Sequence, residues 1–179
     1  MRNFEIKNQN GRSMIEMLGV LAIIGVLSVG GIAGYSKAMM KYRVNKTIEE
    51  ITITAGNIRT FFKNELGHIE LSDQDVAIKK AKLVPDVEKL KGNTYTLPLG
   101  TMDIQGQSDF EFELYNIPVE ACIELATYDW STVSVNRFEF NCNNCVYQPP
   151  MKLDDAVDVC TKTQDNDGTV SEWYFIFKK

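Results

Sequence analysis

The sequence predicts an α+β chain: a long N-terminal α-helical rod, apolar in its first half, packed against a C-terminal globular head with an antiparallel β-sheet. Three observations predict it. Residues 17–34 are eighteen consecutive positions without a charge. Val44, Ile48, Ile51, Ala55, Ile58 and Phe62 then recur with 4-3-4-3-4 spacing, which places them on one helix face. Beyond them, Phe110, Phe112 and Leu114 alternate with acids, and Trp173, Phe175 and Phe177 alternate along the last apolar run, both at the period of a strand. The 179 residues are enough for one domain with a sizeable core plus an appendage.

Charge divides the chain in the same way. Residues 1–67 carry nine Lys/Arg and five Asp/Glu, whereas residues 68–179 carry ten and nineteen, so the two parts face different surroundings. The net charge of −5 argues against nucleic acid as a primary partner. The single histidine, His68, excludes any mechanism that needs two and reads as a surface residue. All five prolines lie at or after Pro85, so none breaks a helix before it.

The uncharged run is near the lower limit for crossing a hydrocarbon core of roughly 30 Å. A buried core helix, a cleaved secretory signal and a retained membrane segment all start from such a run. A core helix shows a polar face, and this run has none. A secretory signal would take Arg2, Lys7 and Arg12 as its basic region and Gly31-Ile32-Ala33 as its cleavage site. Against it, Glu16 stands at the mouth of the run and the helical pattern continues past that cut. With Lys46, Glu50, Asn57 and Lys63 outside the apolar stripe, the rod is expected over residues 14–66, with Gly67 as its C-terminal stop. That is roughly 80 Å of helix. Charge flanks leave its membrane orientation open: Arg2, Lys7 and Arg12 precede the run, while Lys37, Lys41, Arg43 and Lys46 follow it before the next acid.

The start of the run reads Gly11-Arg12-Ser13-Met14-Ile15-Glu16: a glycine, a glutamate five residues on, then the apolar stretch, all behind a short basic leader. This resembles the processing site of type IV pilins and of the related type II secretion pseudopilins. The resemblance is specific over residues 11–34 and extends more loosely to the whole rod. It implies a leader over 1–11, a helix over 12–67 whose residues 14–34 serve as membrane segment and filament core, and a head over 68–179. It also implies cleavage between Gly11 and Arg12 by a prepilin peptidase, N-methylation of Arg12, and Glu16 as the fifth mature residue. In that family the glutamate pairs with the N-terminal amine of a neighbouring subunit and so fixes the stagger of packed rods. A carboxylate in hydrocarbon costs about 2.5–3.5 kcal/mol, less near the interface, and needs such a partner. In a helix starting near residue 14, Glu16 also lies in the first turn, facing the positive end of the helix dipole.

The sequence departs from the family in three places. Arg12 stands where the first mature residue is usually apolar, which places a permanent cation beside the amine. The leader length falls between those of the IVa and IVb classes. The apolar run lacks a proline; Gly30, Gly31 and Gly34 either supply the bend or simply let helices approach closely.

In the head, Ser72 and Asp75 signal a short helix at about 73–81. A loop follows, with Pro85, Gly92, Pro98 and Gly100. Next come the Phe110–Leu114 strand, a helix from Pro118 to about 128, a strand containing Val133, Val135, Phe138 and Phe140, a short helix at 154–160, and a final strand buried on both faces. Cys122, Cys142, Cys145 and Cys160 all lie in the head, an even count that favours disulfides on an outer side and allows three pairings. Similarity to type IVb pilins implies Cys122–Cys160, with Cys142–Cys145 as a local bridge. A Cys-x-x-Cys redox site and a four-thiolate zinc site are the alternatives. Asp165-Asn166-Asp167-Gly168 reads either as a calcium loop, since pseudopilins can hold calcium there, or as a turn into the last strand. It is not an EF-hand, because Thr163 and Tyr174 would take the first and twelfth ligand positions.

No catalytic set, phosphate loop or cofactor motif stands out, and the chain is not expected to be an enzyme. The expected role is a subunit of a helical homo-oligomeric filament, an extracellular type IV pilus with roles such as adhesion or conjugation. The chain would sit in the inner membrane with its assembly machinery beforehand, N-terminus in the cytoplasm. The alternatives are a type II secretion pseudopilin or minor tip pilin and, from another class, a membrane-anchored or secreted envelope domain with ligand-binding or thiol activity.

Overall fold

The computed structural model describes residues 12–61, 78–106, 110–142 and 145–177. The leader at 1–11, Phe62, the rod's expected end at Leu66 and Gly67, His68, and positions 73–77 of the expected short helix lie outside these residues. Contacts divide the chain between Lys41 and Tyr42 into two units. One α-helix, α1 (Arg12–Phe61), supplies all the described residues of the first unit and the opening of the second.

In the second unit the chain continues through β1 (Leu90–Lys91), β2 (Thr94–Thr96), β3 (Thr101–Gly106), β4 (Phe110–Tyr115), β5 (Ile117–Pro118), α2 (Val119–Thr127), β6 (Val135–Phe140), β7 (Val146–Tyr147), α3 (Leu153–Lys162), β8 (Thr169–Val170) and β9 (Trp173–Phe177). Seven strands form one antiparallel sheet in the order β1-β2-β3-β4-β9-β6-β7, and β5 pairs with β8 in a second. The last strand is therefore central. Phe175 stands opposite Phe112 on β4 and opposite Phe138 on β6. Its aromatic residues close the core: Phe138 and Phe175 lie 4.7 Å apart, Phe140 and Trp173 4.9 Å, and Trp130 and Phe175 5.1 Å. Trp130 is buried without loss because its Nε1–H donates to the Leu125 carbonyl at 2.8 Å.

The α+β architecture matches the sequence reading, but several elements are displaced. The stretch read as a loop around Gly92, Pro98 and Gly100 holds β1 and β2 and leads directly into β3, whose side chains alternate between half-buried and buried. Only Met102 and Ile104 mark that alternation with large apolar residues. Gly92, at φ +61°, makes the first turn. Gly100 serves a different need: a Cβ there would run into the backbone carbonyl oxygen of Tyr115. Val133 belongs to a 3₁₀ turn, because Ser134 adopts a left-handed conformation and β6 starts only at Val135. The helix expected at 154–160 extends to Leu153–Lys162. Residues 78–80 are helical, whereas Ala81 is already in a turn.

The buried face of α1 is also rotated. Val44, Ile51, Ala55 and Ile58 are buried as their spacing predicts, but Ile48 is half-buried and Thr47, Glu50 and Thr54 join the core. Glu50, expected outside the stripe, is only 3% exposed. Lys89 Nζ meets its Oε1 at 3.1 Å, and the buried Tyr95 ring lies near enough to feel its charge. The Tyr95 phenol is pushed above its ordinary value, first by burial and then by Glu50. Thr54 hides its hydroxyl by donating to the Glu50 carbonyl at 2.7 Å. Asn57, also expected outside, is half-buried and donates to the Leu83 carbonyl at 3.0 Å.

Two disulfides tie this unit, Cys122–Cys160 and Cys142–Cys145, with sequence separations of 38 and 3. The first joins α2 to α3. Loop-closure entropy gives it about 4 kcal/mol and the local bridge about 2 kcal/mol. Urea unfolding of the full chain in detergent should therefore show C122S/C160S losing roughly twice as much stability as C142S/C145S. In the same assay Gly100→Ala should cost about 1–3 kcal/mol, since the added Cβ meets backbone oxygens that cannot rotate away.

Candidate functional site

In the first unit the described residues 17–32 present apolar side chains all round the helix. Residues 14–32 are exposed throughout, with Ile15 and Val26 both 75% accessible. Positions 17–36 carry no charge, which at 1.5 Å per residue is about 30 Å of helix. This is long and apolar enough to cross a membrane. The one side-chain hydroxyl within residues 17–34 is kept inside the helix: Ser28 Oγ donates to the Ile24 carbonyl at 2.7 Å. Hydrocarbon would therefore meet no unsatisfied hydroxyl there.

The charge at the entrance to this segment is Glu16, which is exposed and, among the described residues, makes no ion pair. Its position relative to the helix end differs from the expectation. Because α1 already begins at Arg12, no acid lies in the first turn, and Glu16 sits one turn inside. The pull of the helix N-terminus fades within that first turn. The helix supplies little compensation for the carboxylate, so it depends more on an external cation. Gly11, the other half of the motif, lies outside the described residues.

Gly30, Gly31 and Gly34 lie in uninterrupted α-helix, and a Cβ built at each would meet nothing within 4 Å. Their lack of side chains thus serves no contact among the described residues. What they do provide is a stretch whose helical state is weak, by about 1 kcal/mol per glycine relative to alanine.

In the second unit the predicted site residues are scattered. The four sulfurs are all taken up in the two disulfides, so thiolate ligation of zinc would require opening both. Cys142 and Cys145 close the turn between β6 and β7, with Cys145 N donating to the Cys142 carbonyl at 3.2 Å. Asp165–Gly168 forms a turn in which Gly168 N reaches the Asp165 carbonyl at 3.0 Å. There Asp167 Oδ1 accepts from both the backbone N and the hydroxyl of Thr169, which holds the Asp167 carboxyl below its usual value. The calcium reading of that loop has no cluster of acids to rest on among the described residues.

Sequence reading missed two buried carboxylates, Glu50 and Glu113. Glu113 follows the strand alternation onto the face opposite the aromatic core, where Gln105 donates to it at 2.7 Å. The phenols of Tyr115 and Tyr174 are pushed up, by burial first and then by hydrogen bonding to Glu113. Beside them Glu139, Asn141, Cys142, Glu172 and Tyr174 edge an open cleft of about 500 Å³. The visible signal was the pairing of acids with tyrosines at strand spacing. What hid it was that acids on alternate strand positions normally face water.

If the glycines weaken the apolar helix, Gly30→Ala/Gly31→Ala/Gly34→Ala should slow amide hydrogen exchange across residues 28–36 of the full chain in micelles by at least fivefold. Unchanged exchange would make them spacers for close packing instead. Comparison of the chain with known protein families, with curated proteins and with solved structures found no match.

Proposed function

We propose that this chain is a structural subunit of an extracellular type IV pilus, cut after Gly11 and assembled through its N-terminal helix. One observation carries the reading: a glutamate five residues after a glycine stands at the mouth of a helical run with no charge on any side, whose residues 17–32 are exposed among the described residues. Two environments suit such a helix, a bilayer before assembly and sister helices afterwards. The glutamate then acts as a register mark. In water an exposed ion pair contributes little. Inside a bundle of apolar helices, an unpaired carboxylate costs several kcal/mol, so a stagger that brings Glu16 to a neighbour's N-terminal amine is selected over staggers that do not. Arg12, four residues before Glu16 in sequence, brings a second cation to the N-terminal end that this reading gives the mature chain. Within this reading the acidic, disulfide-tied second unit forms the outer surface, and α1 the filament core. A pseudopilin or minor tip pilin would use the same helix chemistry.

The open cleft beside Cys142 favours a second reading, a membrane-anchored envelope domain that binds a ligand. Two measurements separate them. The mature protein should have lost the mass of residues 1–11 and gained a methyl group; an intact leader overturns the proposal. Glu16→Ala should reduce sheared surface filament at least tenfold while near-ultraviolet circular dichroism and both disulfides stay unchanged. Undiminished filament from that variant would remove Glu16 from assembly.

A further inference from the structure

Glu16 and Lys37 delimit the uncharged segment, and at 1.5 Å per residue they stand about 31 Å apart along the helix. That is the thickness of a bilayer's hydrocarbon core. A helix threaded so that Glu16 sits at one interface brings Tyr35, Lys37 and Lys41 to the other. All three are exposed, Tyr35 to 67%, and among the described residues neither lysine has an acidic partner. The two lysines are one helical turn apart, so a single headgroup layer reaches both. Tyrosine favours that depth because its ring is apolar and its hydroxyl is wet, while lysine stems lie along hydrocarbon and carry their ammonium groups outward. In sequence, Arg43 and Lys46 prolong this cationic stretch before the first acid, Glu49.

We infer that Tyr35, Lys37 and Lys41 form a collar that binds the phosphates of anionic lipid headgroups at the far face of the membrane and so sets the depth of the helix. Counting charges leaves topology open, with three cations before the run and four after it, so the cations on that flank do not serve to orient the helix. A lipid-binding role accounts for their being there: the collar holds the helix against sinking. This inference rests on the helix spanning a bilayer and not on filament assembly, so it can fail while the pilus reading stands, and the reverse.

The test uses the full chain in bilayer discs of equal parts phosphatidylcholine and phosphatidylglycerol, with retained lipids counted by native mass spectrometry. The wild-type chain should keep phosphatidylglycerol in preference to phosphatidylcholine. Each cation near an anionic surface contributes about fivefold in affinity, so Lys37→Gln/Lys41→Gln should lower that retention roughly 25-fold, whereas Lys37→Arg/Lys41→Arg should preserve it. Absence of a preference in the wild type, or an unaltered preference in the glutamine variant, overturns the collar. Excess inorganic phosphate should leave the lipid bound; displacement of the lipid by free phosphate would replace a lipid site with a general anion site. A second measurement needs no variant. An impermeant amine-reactive label should modify Lys37 and Lys41 more slowly in these discs than in phosphatidylcholine alone, and equal rates would also overturn the proposal.

Discussion

A helical surface of twenty uncharged residues has no stable place in water, and most of the chain can be understood from how that surface is covered. Burying it is worth roughly 25 cal/mol per Å² of apolar area, whatever does the burying. Among the described residues nothing does so, because residues 14–32 are exposed throughout. The cover must come from lipid or from other molecules, and these two solvents make different demands. Lipid gives length and depth but no register, since one apolar contact is as good as the next. Sister helices give register only if some group is penalised for being out of place, and Glu16 is the group in that segment which can be penalised.

The same helix changes character without any break in its hydrogen bonding. Up to Ser36 it is built for an environment with no polar partner, and its Ser28 hydroxyl is turned back onto its own backbone. From Val44 onward it is built for a protein core, and it carries Thr47, Glu50 and Thr54 into that core. A buried carboxylate is tolerated there because Lys89 supplies a cation at 3.1 Å. Lys89 is itself partly exposed, so the pair is screened and its net worth is small; removing Lys89 would matter chiefly by leaving Glu50 unpaired.

Much of this was legible in the sequence because it is written in periods and spacings. The uncharged run, the apolar recurrence from Val44 and the alternation in β4 and β9 each repeat often enough to stand above chance. What escaped detection depended on neighbours distant in sequence. Thr47 and Ile48 are adjacent on the helix, and the choice between them is made by what lies opposite, not by their own polarity. β3 carries just two large apolar residues, and its burial follows from pairing with β4 across a full six-residue register. Glu113 is buried because Tyr115 and Tyr174 crowd it, and only the sheet order brings β9 beside β4. At the candidate site the glycine–glutamate spacing could be read directly. The distance of Glu16 from the helix end could not, because it depends on the helix reaching back to Arg12.

Sheet order also explains where the long disulfide is placed. The strand that completes the sheet is the last one made, and it must enter between β4 and β6 rather than add at an edge. Phe112 and Phe175, which face each other across that pairing, are about sixty residues apart along the chain. The Cys122–Cys160 bond offers a shorter route of about twenty-five residues between them. Loop-closure entropy scales with the logarithm of length, so the shortcut eases that one pairing by only about 0.8 kcal/mol. The larger effect falls on the excursion itself. Everything between the two cysteines, including β6, β7 and their connection, is held as a closed loop whose ends lie on α2 and α3, outside the large sheet. The bond therefore fixes the loop without occupying a strand position, which leaves the central slot free for the aromatic residues of β9.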